Sequence, residues 1–413
     1  MTRSPFLLAA LLAVFLSALG TAVFLPDRPA IAADEKKALR PALGQPLKAA
    51  QDAIAQKKYK EAMADIDKTD AISDKTPYER LVIAQMRTAA YIGMGDYASA
   101  TKGFEEELAT GLVEPDDSVK IVGNLVRLYY DAKDFPKAIE YINRYYREGG
   151  TDDEFHTLLA EAYYQQGDYA NAEKSTHALI QNFQKSGTTP PEVLLELYMS
   201  SAYQIKDAAG HIDALEMLVA TYPKKDYWND LFIEIAKKPN FSQSLELDLD
   251  RLLIATGVMQ QPNEFMEAAE LAITDGLPGD AKTFIDQGFA AGALGKGPDA
   301  ARQQKMSDLS KSLSATDIKG LPQIAQQATT GESLVKLAEA YASYAQYDKA
   351  IAAFEQGIQK DGLKNAPAEK LRLGVTYLKA GQKAKAKDTL KSITAADGTQ
   401  DLAQLWLIWG GLK

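Results

Sequence analysis

A local pattern occurs twice in this chain: a tyrosine, a spacer of three residues, then Gly-Asp-Tyr and an alanine three positions later. The two copies run from Tyr91 to Ala100 and from Tyr163 to Ala172. A pattern of this length that returns at a fixed spacing predicts an internal repeat, and a repeat restricts the fold to stacked copies of one supersecondary unit.

Looser copies keep an aromatic residue and the alanine three positions after it, at Tyr59, Phe135 and Tyr347. The first four aromatic positions of the frame are 38, 38 and 34 residues apart, and Lys383 continues the frame 36 residues after Tyr347. These steps bracket the period of roughly 34 residues that is typical of one class of helical repeat.

The residue types of the pattern predict a helical hairpin. Gly95 can adopt a positive φ and end the first helix. Asp96 can cap the second helix, and the small side chain of Ala100 lets the two helices approach closely. One such hairpin cannot bury its own apolar face, so several hairpins must stack.

On these residues the chain resembles the tetratricopeptide-repeat (TPR) proteins, of an exported bacterial type. The clearest repeats cover residues 80–182 and 331–393. The resemblance implies an all-α fold, a superhelical solenoid of TPR-like antiparallel helix hairpins. It also implies a scaffold that binds a protein or peptide and has no catalytic activity.

We expect four segments along the chain. Residues 1–33 form a signal peptide, and residues 34–293 form TPR-like repeats that become degenerate after about residue 183. Residues 294–330 form an irregular connection of short helices, because glycines and prolines interrupt this stretch. Residues 331–413 hold the C-terminal TPR-like repeats and a capping helix.

The N-terminal segment is typical of an export signal. Arg3 precedes an apolar run from Phe6 to Leu25, and Ala30-Ile31-Ala32 matches the small-residue pattern of a cleavage site. Cleavage there predicts a periplasmic protein. An apolar run of about 20 residues can also span a bilayer, so the alternative is an uncleaved anchor on the periplasmic face of the inner membrane.

Composition excludes several functions. The chain contains no cysteine, which excludes disulfides and thiolate chemistry. Its formal net charge of -10 is unfavourable for binding nucleic acid. It contains three histidines, none of them paired at metal-ligand spacing, so we expect neither a metal nor another cofactor.

Two short motifs match enzyme signatures only in part. Residues Gly295 to Ala300 satisfy GxGxxA, but no predicted strand precedes them, as dinucleotide binding requires. Residues Ser333 to Lys336 satisfy SxxK without the SDN and KTG partners of that motif. We therefore expect a protein that is not an enzyme, with a site built between Gly292 and Thr330 as the remaining enzymatic alternative.

The resemblance implies that the first helix of each hairpin lines a concave groove, in which side chains just after the motif tyrosine face a ligand. Tyrosines combine apolar area with a hydroxyl group, and arginine can hold a carboxylate with two hydrogen bonds, so such a face suits a peptide. The alternative for Tyr130 and Tyr164 is packing against the adjacent hairpin. The predicted partner-binding residues of this face are Arg127, Tyr130, Asp131, Glu161, Tyr164 and Gln165.

The last apolar segment of the chain predicts a helix. A terminal repeat has no following neighbour, so this helix is expected to cap the stack. Two tryptophans, Trp406 and Trp409, also suit a docking surface, because tryptophan is enriched at the centres of protein interfaces.

The sequence thus predicts an adaptor in the bacterial periplasm that serves a cell-envelope transport or assembly complex. The alternative is an inner-membrane-anchored subunit of such a complex, held by the uncleaved N-terminal segment. The sequence does not indicate which partner or which pathway.

Overall fold

The computed structural model describes residues 38–360 and 362–412, so the predicted signal segment lies outside the described residues. Within the described ranges every regular element is a helix, which confirms the all-α class. The chain divides after Ser186 into two compact units. In the part of the chain that the structure covers, no helix combines the length and the apolar composition needed to cross a bilayer.

The first unit, residues 38–186, consists of four consecutive helical hairpins among its described residues. Phe104, Leu125 and Phe155 are fully buried and fill the space between these hairpins. The helices pair as α1/α2, α3/α4, α5/α6 and α7/α8, with the bounds α1 (Pro41–Ala55), α2 (Tyr59–Asp67), α3 (Pro77–Met94), α4 (Tyr97–Ala109), α5 (Pro115–Asp131), α6 (Phe135–Arg147), α7 (Glu154–Gln165) and α8 (Tyr169–Lys185).

The Gly-Asp-Tyr turns have the predicted geometry. Gly95 ends α3 with a φ of 75°, and the Ser99 N–H donates to Asp96 Oδ1 over 3.1 Å at the start of α4. Gly167 and Asp168 repeat this arrangement between α7 and α8, where φ is 85°. Glycine stops one helix and aspartate caps the next, as the repeat pattern predicts.

Small residues set the helix spacing inside a hairpin. Ala100 and Ala172 are fully buried at equivalent positions of α4 and α8. At Gly103 a Cβ atom would lie 2.3 Å from the Thr88 hydroxyl oxygen, so only glycine permits the observed approach of α4 to α3. The repeat therefore depends on the absence of side-chain volume at these positions as much as on its aromatic residues.

Glu107 of α4 is an ionisable group in the core of the first unit. Its side chain is 1% exposed, and its Oε1 has no hydrogen-bond partner among the described residues. Burial raises the pKa of this carboxyl to about 8, and the Thr88 hydroxyl opposes that effect only in part. A carboxylate in such surroundings favours its neutral form.

Replacing Glu107 with glutamine should stabilise the protein at pH 8 and change little at pH 4. The folded state retains the Glu107 proton up to about pH 8, whereas the unfolded chain releases it near its ordinary pKa, so wild-type stability falls as the pH rises between these values. Glutamine removes this loss, by an amount on the order of 4 kcal/mol at pH 8. Urea unfolding at the two pH values measures it, and an equal effect at both would contradict the assignment.

The second unit, residues 187–412, contains four hairpins and four helices that belong to none, within its described residues. The hairpins are α9/α10, α13/α14, α16/α17 and α18/α19, and a short 3-10 helix spans Gln243–Leu245. The bounds are α9 (Glu192–Gln204), α10 (Ala208–Thr221), α11 (Lys225–Ala236), α12 (Glu246–Thr256), α13 (Pro262–Thr274), α14 (Pro278–Ala290), α15 (Ala300–Gln327), α16 (Gly331–Ser343), α17 (Tyr347–Ile358), α18 (Ala366–Lys379), α19 (Lys383–Lys391) and α20 (Thr399–Trp409).

The connection expected to consist of short helices is instead dominated by α15, a single helix of 28 residues. Gly295 and Gly297 do form a turn, with φ values of 85° and 73°. Pro322, however, lies inside the helix. The buried face of α15 continues as far as Leu321 and packs against the rest of the unit. This packing outweighs the helix-breaking tendency of Gly320 and Pro322 near the end of the helix.

The last helix, α20, does more than cap the final hairpin. It packs against α18 and α19, and also against α10 and α12 near the start of the unit. Lys238 Nζ pairs with Asp401 at 2.9 Å, and the Gln404 amide donates to Glu216 over 3.1 Å. The helix therefore joins the two ends of the second unit.

Candidate functional site

The predicted face of the first unit lies on α5 and α7, the first helices of two successive hairpins. The Tyr130 hydroxyl of α5 donates to Glu161 of α7. The Tyr130 ring also meets Phe135 edge-on, with centroids 5.7 Å apart. The structure thus brings Tyr130 and Glu161 together, but as a bridge between neighbouring first helices, so packing contributes to the role of Tyr130.

Arg127 already has ion-pair partners within the protein. Its Nη2 lies 2.9 Å from Asp152 Oδ2 and 2.8 Å from Glu154 Oε2, and its guanidinium stands 4.6 Å from the centre of the Phe155 ring. Its own neighbours thus take up the charge that was expected to hold a ligand carboxylate. Direct ligand binding by Arg127 stays a prediction, and in this structure the residue fixes the start of α7 to α5.

Three predicted residues remain accessible. Asp131 and Gln165 are exposed at equivalent positions of α5 and α7. Tyr164 is half-buried, with its ring edge-on to Tyr169 at 5.1 Å between centroids. They offer a carboxylate, an amide and part of a phenol ring, all from first helices.

Sequence reasoning missed Asn124. Its side chain is half-buried, and its amide nitrogen Nδ2 is buried without a hydrogen-bond partner among the residues that the structure describes. Asn124 lies three residues before Arg127 and seven before Asp131, so the three share one face of α5. The sequence signal that could have revealed Asn124 was an amide side chain on the predicted face. A buried donor without a partner is costly, so it marks a place where a ligand could complete the hydrogen bonding.

Three tyrosine hydroxyls near this face, those of Tyr129, Tyr130 and Tyr141, donate hydrogen bonds to carboxylates. Burial, and then the hydrogen bond to Glu161, raise the pKa of Tyr130 well above its ordinary value. The pKa values of Tyr129 and Tyr141 are raised in the same way, and both hydroxyls donate to Glu105. These pairs hold adjacent helices together and keep the carboxylates at fixed positions.

The two tryptophans predicted as a docking surface behave differently. Trp406 is 1% exposed and packs inside the second unit, so it offers a partner no surface, and its predicted docking role is wrong for this conformation. Trp409 is 41% exposed, although its indole N–H donates to the Ala255 carbonyl oxygen over 3.1 Å. The two rings meet edge-on at 5.3 Å, which orients Trp409.

The partial enzyme motifs take part in local structure. Ser333 lies in the first turn of α16, where its hydroxyl and that of Thr330 complete a capping box. Gly295 and Gly297 belong to the turn before α15. Over the described residues, no group of three or more His, Cys, Asp and Glu side chains is arranged to hold a metal ion.

Comparison with known proteins matches both units to one repeat family. Residues 124–185, which include the face on α5 and α7, match a tetratricopeptide repeat model, and so do residues 370–396. No match was found among the curated proteins.

Several solved structures are similar at low identity. The TPR2AB domain of yeast Sti1, in its pHSP90 complex, is 15% identical and covers 71% of this chain and 99% of its own, with a TM-score of 0.23. Yeast Tom70 is 12% identical and covers 85% and 84%, with a TM-score of 0.25. The C-terminal part of a TPR repeat-containing protein from Cytophaga hutchinsonii is 14% identical and covers 78% and 98%, with a TM-score of 0.29. Likenesses at this level carry no information on function.

The family matches fall on hairpins whose small buried residues follow the repeat pattern: Ala138 and Ala172 in the first match and Ala386 in the second. The chain therefore contains tetratricopeptide repeats, at residues 124–185 in its first unit and at residues 370–396 in its second.

Proposed function

We propose that this protein is a non-catalytic scaffold that binds a protein or peptide on the first-helix face of α5 and α7. Tetratricopeptide repeats generally mediate interactions between proteins, and this face lies within a matched repeat segment. The observation that carries the proposal is the buried amide nitrogen of Asn124, which has no partner in the described structure. Asp131 is exposed two turns further along α5 and Gln165 is exposed at the equivalent position of α7, so both can bind the same extended ligand.

The face suits an extended polypeptide. A peptide backbone presents alternating donors and acceptors, and the buried Asn124 amide can donate to one of its carbonyl oxygens once the side chain rotates outward. Gln165 can donate and accept, while Asp131 can accept from a backbone N–H or a basic side chain. Arg127 and Tyr130 support the face by tying α5 to α7, because they already bind Asp152 and Glu161.

We further propose that the protein acts in the bacterial periplasm, within a cell-envelope transport or assembly complex. The features of residues 1–33 support export: Arg3, the apolar run and the Ala30-Ile31-Ala32 pattern. The second candidate is a subunit anchored to the inner membrane, which the length of the same run favours. Mass spectrometry of the protein purified from cells separates them, because a mature N-terminus near Ala33 excludes the anchor.

Photo-crosslinking in living cells tests the binding face. A crosslinking amino acid at Asp131 or Gln165 should capture the same partner polypeptide, whereas one at Lys174, exposed on α8, should not. Capture from Lys174 alone would place the interface on the second helices and reject this face.

Replacing Asn124 with alanine should reduce capture of that partner roughly tenfold, because the variant loses one or two hydrogen bonds to the ligand at a buried site. The same change should leave thermal unfolding close to wild type, because the Asn124 amide nitrogen has no hydrogen bond to lose within the described structure. Unchanged capture by a folded Asn124→Ala protein would contradict the proposal.

A further inference from the structure

A polar cavity lies inside the second unit, where six helices converge. Side chains from α12, α14, α16, α17, α18 and α20 line it. The cavity measures about 40 Å³, room for about three water molecules. The centre of a stacked-helix unit is ordinarily apolar, so charged groups there need an explanation.

Two arginines hold four carboxylates around this cavity. Arg251 of α12 donates to Asp248 over 2.7 Å and to Asp280 of α14 over 2.6 Å and 3.1 Å. Its pKa is raised, since the attraction of Asp280 and Asp248 exceeds the effect of desolvation. The arginine therefore remains charged in a buried position and satisfies both aspartates.

Arg372 of α18 completes the network. It donates to Asp248 over 3.0 Å, to Glu339 over 3.1 Å and to Glu369 over 2.8 Å. Burial raises the pKa of Glu369 to about 7 despite the attraction of Arg372. Together the two guanidinium groups donate to all four carboxylates, although Oε2 of Glu369 is buried without a hydrogen-bond partner among the described residues.

An ionic network of this kind does not favour folding over an apolar core of the same volume, because desolvation offsets the attraction. Asp248 is 3% exposed, and the side chains of Arg251 and Arg372 are 13% and 17% exposed. Buried ionisable groups with strongly shifted pKa values cluster at functional sites, where they line a cleft or cavity. The network is thus better explained by a ligand than by stability.

Lys379 is the charged residue of the cavity without a counter-ion. No carboxylate of the described chain lies within ion-pair distance of its Nζ, which stands 5.8 Å from the centre of the Trp406 ring. Desolvation lowers the pKa of Lys379 more than Asp280 and Asp248 raise it. Lys379 is exposed, however, so it lines the cavity on the side that is open to solvent rather than in packed core.

We propose that this cavity binds a carboxylate group, which pairs with Lys379. The three cations that line it, Arg251, Arg372 and Lys379, face three lining carboxylates, and only the lysine ammonium is left unpaired. A second cation would meet no free carboxylate, whereas an anion would give Lys379 the partner that it lacks.

The other walls fit a short carboxylic acid or a carboxylate side chain. Phe354, Val375 and Trp406 provide apolar surface for a short carbon chain. The hydroxyls of Ser343 and Thr376 now donate to carbonyl oxygens of their own helices and can rotate to donate to an anion. The ligand carboxylate can come from a free small acid or from an acidic residue of a polypeptide.

Nuclear magnetic resonance of Trp406 tests the proposal. The chain has three tryptophans, so the Trp406 indole signal can be assigned by replacing each with phenylalanine. Titration with sodium acetate should shift this signal to saturation. Acetamide, which is neutral, and sodium chloride should not produce this shift. A shift that never saturates, or that chloride reproduces, overturns the proposal.

The lysine is tested with matched variants. Lys379→Met should weaken acetate binding at least tenfold, whereas Lys370→Met, at an exposed position of the same helix, should leave it unchanged. Circular dichroism should show equal helix content in both. Undiminished binding by Lys379→Met would overturn the assignment. N-acetyl-aspartate amide and acetate then distinguish the sources: tighter binding of the former indicates a polypeptide ligand, tighter binding of acetate a free acid.

Discussion

Replacing Arg372 with methionine should lower the free energy of unfolding of the second unit by about 3 to 5 kcal/mol, because it leaves buried carboxylates without a partner. Glu369 would lose its 2.8 Å contact and Glu339 its 3.1 Å contact. Asp248 would keep Arg251 alone. Urea unfolding followed by segment-resolved hydrogen exchange measures the loss and assigns it to a unit.

Arg302 provides the control. It forms a similar pair with Glu270 at 2.9 Å, but its side chain is 67% exposed. Exposed pairs of this kind contribute about 0 to 1 kcal/mol, so Arg302→Met should cost little. Equal losses for the two variants would mean that solvent screens the Arg372 network as it screens the surface pair. The Arg372 network would then contribute no more to stability than an ordinary surface ion pair.

Local chemistry made the hairpins of the first unit predictable. The turn at Gly95 and Asp96 needs only adjacent residues, and the spacing of the copies gives the order of the helices. The same register placed Tyr130 and Glu161 on successive first helices, where they do meet. Such features repeat at a fixed spacing, so one sequence contains enough information to find them.

The second unit was less predictable because its organising contacts are distant in sequence and follow no motif. Arg372 and Asp248 are 124 residues apart, and Gln404 and Glu216 are 188 apart. No pattern within a repeat indicates that such residues will meet. The burial of Trp406 could not be predicted for the same reason, since α20 packs against helices near the start of the unit.

The ion pairs of Arg127 show a third limit of prediction from the sequence. The repeat frame correctly placed this arginine on the first-helix face, but a frame contains no information about competing neighbours. Asp152 and Glu154 lie at the start of the next hairpin, within reach of its guanidinium. Residue type and register thus predict the helix face on which a side chain lies. Whether that side chain forms an ion pair within the protein depends on the residues of the neighbouring turn.

Replacing Trp406 with alanine should cost about 3 to 5 kcal/mol, the range for removing a large buried aromatic side chain. Trp406 is the largest fully buried side chain among the described residues, and it lies on the helix that joins the two ends of the second unit. We therefore expect the loss to reach α10 and α12, which α20 contacts, as well as the adjacent α18 and α19. Hydrogen exchange should show faster exchange in all four helices.

Trp409→Ala is the matched control on the same helix, because that ring is 41% exposed and only its indole N–H is bound. Its cost should stay near 1 kcal/mol, the value of one hydrogen bond. If Trp406→Ala accelerated exchange in α18 and α19 alone, α20 would act as a simple terminal cap. Faster exchange that includes α10 and α12 would instead mean that the second unit unfolds as one closed body. In an open stack each repeat depends only on its neighbours, so the effect of a terminal substitution would not reach the first helices.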